Sequence, residues 1–342
     1  MSDGVPLVSL CIPTYNAGET VRETLESILA QSYTNLVVHV SDNASTDDTL
    51  NIVESMADRR IIVHRHNENI GGEGNFNRCI GYGEGKYTAI FHADDLYEPE
   101  MVSRQVAFLE ANPAAGAVFT EAVMIDETSK RIGEIRLPKE ISCQIGLCNF
   151  ETIFKAVLRH SNFFICPSAM VRTDIYRNEI RSWRGEMFRT SADLDVWLRI
   201  LRKYRIGFLP EQLMRYRVGI NQGSAHLRLK TERSDFFLVM DHYMAENSIH
   251  SLLQPDDFRN YRWLDRRNRV KRAVNLFLTD RSRQARELLY DIGSLDALET
   301  LIKTRRGLIV LLVGLYMVMM DSVGFNRIGK IPLRYIHRVL RK

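Results

Sequence analysis

Over the first hundred residues, short apolar runs alternate with segments of helical period, the pattern of a parallel sheet with helices on its faces. Val5 to Ile12 predicts a buried strand. After the break at Pro13, Thr14, Tyr15 and Asn16, the residues Val21, Leu25, Ile28 and Leu29 recur at helical spacing. Leu36 to Ser41 predicts the next strand, and Leu50, Val53 and Ala57 give a helical face behind a stretch, Asp42 to Asp48, rich in turn and capping residues. Ile61 to His64 predicts a third strand. An Asn/Gly-rich loop from Asn67 to Gly74 follows, then a short helix near Asn75 to Tyr82 and a fourth strand from Tyr87 to Phe91. Pro99 suits the first turn of a helix over Glu100 to Glu110.

Beyond Pro113 the regularity weakens. The pattern predicts a strand near Ala117 to Phe119, a hairpin-like stretch from Glu121 to Leu137, a helix over Asn149 to Arg159 and a strand over Phe163 to Val171. Asp193 to Lys203 predicts a helix with Val196, Trp197, Ile200 and Leu201 on one face, and Phe208 to Tyr216 returns to the sheet. From Glu232 onward the pattern is helical, without internal repeat or low-complexity tract. The fold class expected is α/β, a mostly parallel sheet flanked by helices over residues 1–230, with a helical region over 231–342.

At 342 residues, 45% of them apolar and 26% charged, the chain can bury one large or two ordinary cores, which excludes a small stapled scaffold or a disordered chain. The five cysteines are an odd set without a Cys-x-x-Cys pair, and no basic-then-apolar segment opens the chain, so reduced thiols and a cytoplasmic location are expected. The net charge of +4 conceals an asymmetry: residues 1–258 hold 27 Lys and Arg against 35 Asp and Glu, whereas residues 259–342 hold 19 against 7. A basic tail suits nucleic acid, anionic lipid or water, and charge alone does not choose among them.

Ligands of open parallel sheets bind outside the carboxyl ends of the strands. Asp42 closes the second predicted strand, and His92, Ala93, Asp94 and Asp95 follow the fourth, which gathers three carboxylates on one edge. Capping accounts for Ser45 or Thr46, and a solvated loop is the plain alternative for Asp94 and Asp95. Adjacent like charges repel by about 1 kcal/mol near a surface, so a pair kept after an apolar strand points to a cation or donor groups between them. Oxygen ligands of this kind suit Mg²⁺ or Mn²⁺.

Three segments in order, Val8 to Asn16, Ser41 to Thr49 and Phe91 to Asp95, resemble family 2 of the glycosyltransferases. Asn69, Gly71 and Asn77 match the family's Asn-x-Gly loop and the Asn of the following helix. The resemblance covers about the first 110 residues and implies a GT-A fold whose sheet edge takes a UDP- or dTDP-linked sugar, with a divalent cation bridging the diphosphate. Carried over, Pro13, Thr14, Tyr15 and Asn16 line the nucleotide pocket, Asp42 with its neighbour Asn43 contacts the base, Asp94 holds the metal and Asp95 the metal or the sugar. His92 replaces the first acid of the family's Asp-x-Asp element; an imidazole can bind a transition metal or a ribose hydroxyl, which favours manganese.

The segment Thr190 to Arg199 resembles the helix that carries the family's general base, with Asp193 at that position; a helix cap is the alternative. Asp195, two residues on, would point elsewhere. Leu213 to Gly219 resembles the closing strand with its Tyr-Arg pair, where Arg217 suits a diphosphate and Gly219 stands where many relatives have a histidine, unless His226 supplies it from the loop at Asn221. The activity implied is inverting transfer of a sugar to a glycan or lipid-linked hydroxyl. A non-catalytic sugar-nucleotide-binding protein is a second reading and a nucleotidyltransferase a third, though Pro13 to Gly18 lacks a basic phosphate loop. Cys143 and Cys148 suit free thiols, His64 and His66 lack matching acids, and Trp183 and Trp197 default to core positions.

Gly307 to Met320 is 14 residues without a charge, about 21 Å as a helix and short of a bilayer's roughly 30 Å. With Arg305, Arg306, Arg327 and Lys330 around it and a basic amphipathic pattern from Ile331 to Lys342, it suits either an interfacial segment at the inner face of a membrane or a core helix. No nucleic-acid-binding motif accompanies the charge.

Overall fold

The computed structural model describes residues 4–142, 146–219, 231–302, 305–324 and 332–333. His226 and the loop at Asn221, Cys143, Arg327, Lys330 and all but Pro332 and Leu333 of the expected terminal helix lie outside them. Ten strands form one sheet: β1 (Val8–Thr14), β2 (Leu36–Asp42), β3 (Ile61–Arg65), β4 (Tyr87–Ile90), β5 (Leu96–Tyr97), β6 (Ala115–Ile125), β7 (Arg131–Ile135), β8 (Leu147–Cys148), β9 (Met170–Arg172) and β10 (Arg205–Arg217). Their order is β3-β2-β1-β4-β9-β6-β10-β5, with β7 beside β6 and β8 beside β10. The parallel ladders β1/β2, β2/β3, β1/β4 and β6/β10 hold most of the paired residues, as expected of an α/β sheet flanked by helices.

β1 is interior, so its Val8, Leu10, Cys11 and Ile12 are all fully buried, which explains an apolar run broken only by the equally buried Ser9. Helix α1 (Val21–Leu29) covers the sheet with Val21, Leu25 and Ile28. Helices α2 (Thr49–Ser55), α3 (Gly71–Tyr82) and α4 (Met101–Ala111) complete the regular part.

Two elements depart from the pattern-based expectation. Helix α3 begins at Gly71, inside the stretch expected to be loop, because Asn69 Oδ1 accepts the Gly71 amide at 2.8 Å and Gly71 adopts φ +81°, a conformation open to glycine. The strand expected from Phe163 shrinks to β9; Cys166–Ser168 is a 3₁₀ turn built on Pro167, which has no amide to donate to a ladder.

The chain divides into two compact units, Met1–Ala156 with Asn162–Gly219, and Val157–Ser161 with Ile220–Lys342. The second is helical, with Pro255–Leu278 and Arg305–Ser322 the long members. Val270, Val274, Phe277, Leu289, Ile292, Val310, Val313 and Met317 form its core. A Cβ on Gly314 would lie 2.6 Å from Ile292 Cγ1, so glycine permits this close helix approach. The helix expected to be either core or interfacial thus buries one face. No helix among the described residues is long and apolar enough to cross a membrane.

Candidate active site

The register pairs Thr14 with Asp42 and Cys11 with Ile90, so β1, β2 and β4 end on a common edge and the turn His92 to Asp95 emerges there. β4 and β6 are both antiparallel to β9, so β6 and its parallel partner β10 end on that edge too. The helix Ala192–Leu201 precedes β10 through a short turn and runs back against it, which puts its N-terminal residue Asp193 at the same end.

At the first corner, Asp42 is fully buried: Oδ1 accepts from Thr14 Oγ1 at 3.1 Å and from Ser45 Oγ, and Oδ2 from the Ser45 amide at 3.0 Å. The carboxylate expected to accept a base therefore serves first to cap its own turn, which fixes Ser45, whose Oγ accepts the Asn16 amide at 2.9 Å. Asn16 Oδ1 in turn accepts the Thr46 amide at 2.8 Å, leaving Tyr15 (49% exposed) and Asn16 as the accessible side chains of the Pro13 to Asn16 segment. Asn43 is buried and binds the next loop, donating to Asn69 Oδ1 (2.7 Å) and accepting from the Ile70 amide and Arg78. Asn75 donates to the Ser41 carbonyl at 2.8 Å, and Asn77 Oδ1 accepts the Trp183 amide at 2.7 Å.

At the second corner, the turn His92 to Asp95 is held from α1: Thr24 Oγ1 lies 2.9 Å from the carbonyls of Ala93 and Asp95, and Thr20 Oγ1 donates to Ala93. One liganding atom each from His92, Asp94 and Asp95 lie within 4.8 Å of one another, the metal-capable group found among the described residues. His92 Nε2 and Asp95 Oδ2 are buried without a hydrogen-bond partner. Burial pushes the His92 imidazole below its ordinary pKa against the pull of Asp94, so it is neutral and able to ligate. Burial and then Asp94 push the Asp95 carboxyl well above the usual carboxylate range, while the Arg217 amide, 2.8 Å from Oδ1, opposes this. A cation answers all three observations, so the residues present fit one.

Arg217, expected to grip a diphosphate, is only 4% exposed and meets protein acceptors on every nitrogen: Asp94 O at 2.7 Å from Nε, Asp126 O and Ser129 Oγ from one terminal nitrogen, and Glu23 at 2.6 Å from the other. It ties the acidic turn to α1 and to the β6/β7 turn. The sequence pattern gave no sign of Glu23 as its partner.

At the third corner, Asp193 Oδ2 is 3.4 Å from Asn162 Nδ2, and burial raises its carboxyl to about 6. The half-buried Cys166 thiol is pushed up by desolvation and then by Asp193 and Asp95. An aromatic chain closes the arrangement. His92 meets the edge of Phe76 at 5.5 Å, Phe76 stacks on Trp183 at 4.5 Å, and Trp183 meets Trp197 at 6.5 Å. Trp197 is wholly buried, as its type suggests, and Trp183 Nε1 is buried without a partner. Phe76 and Thr24 were not legible as site residues, since an apolar helix residue and a helix threonine carry no chemical signature.

The family model described as Glycosyl transferase family 2 matches residues 9–179. An Escherichia coli relative, UDP-Glc:alpha-D-GlcNAc-diphosphoundecaprenol beta-1,3-glucosyltransferase WfaP, is 36% identical over 104 residues, 30% of this chain and 41% of that one. Among solved structures, S. aureus TarS 1–349 in complex with UDP-GlcNAc superposes with a TM-score of 0.57 at 14% identity, covering 93% of this chain and 92% of that one. Mannosyltransferase PcManGT from Pyrobaculum calidifontis, in complex with GDP-Man and Mn²⁺, gives 0.52 at 17% identity over 94% and 87%. The ordered motifs on one sheet edge and the family model spanning half the sequence lead to one conclusion: the chain is a glycosyltransferase of family 2 with the GT-A architecture.

Proposed function

We propose that this enzyme transfers a sugar from a UDP- or dTDP-linked donor, with inversion, to a hydroxyl of a glycan or lipid-linked acceptor in polysaccharide synthesis. The observation that carries the reading is the row of buried, unpartnered polar atoms, His92 Nε2, Asp95 Oδ2 and Trp183 Nε1, along the aromatic chain. Each unsatisfied atom costs about 1–3 kcal/mol, so a polar ligand is the natural partner. Tyr15 and Asn16 offer the open surface for the nucleoside, with Asn43 and the capped Asp42 holding the loop beneath. Asp94, Asp95 and His92 would hold a divalent cation, which when bound supplies positive charge against the leaving diphosphate. Asp193 takes the proton from the acceptor hydroxyl as that oxygen attacks the anomeric carbon and the nucleoside diphosphate departs. Arg217 positions the Asp94 carbonyl instead of clamping phosphate. The lipid-linked substrate in the name of WfaP and the Mn²⁺ complex of PcManGT favour this acceptor class and this ion.

Thermal melting against a panel of nucleotide sugars, with and without Mn²⁺, tests the reading. A matching donor at about a hundred times its Kd adds about 2.7 kcal/mol, a rise of several degrees. Asp94→Asn should lose the Mn²⁺-dependent part of that rise and keep the ligand-free melting temperature. A panel in which no nucleotide sugar raises the transition, with or without metal, would leave the proposal without support.

The carboxyl of Asp193 near 6 also fixes a pH dependence. Its folded value stands above the unfolded one, so the proton-bound form is favoured by folding and that contribution fades as pH climbs from about 4 to about 6. A base must be ionised, so the transfer rate at saturating donor should rise through about pH 6 and level off above it. A rate that is flat from pH 5 to 7.5, with binding unchanged, would remove Asp193 from the base role.

A further inference from the structure

One face of the helix Arg305–Ser322 packs on Pro255–Leu278, Ser282–Leu288 and Leu295–Leu301, and its outer face is apolar as well. Gly307, Val310, Leu311, Val313, Gly314 and Met317 are buried in the second unit's core. Leu308, Leu312, Leu315 and Met319 are 43%, 57%, 39% and 52% exposed. At 100° per residue these four fall within an arc of about 60° and run about 17 Å along the axis, a continuous stripe and not a scatter. Water is a poor neighbour for such a stripe.

The sequence of this unit is basic. Arg305 is exposed in the first turn of this helix, about 50° from the middle of the stripe, where the helix dipole disfavours a cation. Elsewhere in the unit arginines are answered by acids, as where Arg266 and Arg269 share Asp291. Residues 259–342 carry 19 Lys and Arg against 7 Asp and Glu, so two copies meeting on this stripe would bring like-charged segments together, whereas an anionic surface would be attracted.

We propose that this face docks on an anionic phospholipid bilayer, with Leu308, Leu312, Leu315 and Met319 entering the boundary between headgroups and acyl chains and Arg305, which borders the stripe, meeting a lipid phosphate. The helix lies along the surface and does not cross it, in keeping with its length. The inference rests on the second unit alone and is independent of the donor and acceptor chemistry.

Co-sedimentation of the full chain with vesicles of phosphatidylcholine, alone or mixed with phosphatidylglycerol, tests it. The mixed vesicles should bind the chain at least about tenfold more tightly, less so at high salt. Leu312→Asp with Met319→Asp should lose that binding by about tenfold or more at every salt concentration, and Arg305→Glu should lose mainly its salt-sensitive part. Leu312→Ser with Met319→Ser provides a gentler pair should the aspartates unfold the unit, and unchanged far-UV circular dichroism marks the usable variants. Equal binding by parent and folded stripe variant overturns the proposal. So does a dimer, seen by analytical ultracentrifugation and abolished by the stripe substitutions, in a chain that ignores phosphatidylglycerol.

Discussion

Asp193→Asn should lower sugar transfer by about 10²–10⁴-fold while leaving the dissociation constant for the nucleotide sugar within about twofold of the parent value. The amide keeps the size of the side chain and can still meet Asn162, 3.4 Å away, but has no lone pair basic enough to take a proton from a hydroxyl. Because burial already opposes the charge of Asp193, the neutral side chain should not lower the melting temperature above pH 6. Calorimetric titration of the donor, turnover with acceptor present and a melting curve separate the three quantities. A variant with undiminished turnover would return Asp193 to the role of a helix cap, and one that has lost donor binding as well would make it part of the nucleotide site.

That expectation began with a pattern, and it is instructive where pattern sufficed. Strands β1, β2 and β4 were legible because each is covered on both faces and therefore mostly apolar, and the polar residues that follow Thr14, Asp42 and Ile90 then had to lie on one edge. The bounds of β9 and α3 were not legible. They depend on Pro167 withholding one amide and on Asn69 supplying one acceptor, single hydrogen bonds that leave no periodicity. The fate of Arg217 was hidden for a related reason: a buried guanidinium and a phosphate clamp use the same residue type, and only the distant Glu23, Asp126 and Ser129 decide between them. Long-range partners also distinguish two neighbouring acids.

Asp195, two residues beyond the proposed base, is held by such partners, and its loss should be the costliest single change to stability. It is wholly buried, and Arg184 donates to both of its oxygens, from Nε at 2.9 Å, while Arg199 Nε lies 3.0 Å from Oδ2. Arg199 continues to the carbonyls of Ile180 (2.9 Å) and Ser182 (2.7 Å), so one carboxylate joins the helix Ala192–Leu201 to the segment that carries Trp183. Asp195→Ala leaves two guanidiniums facing each other across a cavity. Breaking such a pair costs about 3–5 kcal/mol when fully buried; Arg184, 34% exposed, can turn toward water, which places the expected loss near the lower end. For a unit of this size, that is about 6–12 °C in melting temperature. Asp195→Asn, which keeps one acceptor oxygen, should fall between the alanine variant and the parent. The contrast with Asp193 is the decisive measurement: two acids two residues apart on the same helix, of which one should cost turnover without melting temperature and the other melting temperature first. An Asp195→Ala protein that melts with the parent would mean the two arginines find other acceptors and that the helix is held by Trp197 and its apolar neighbours alone.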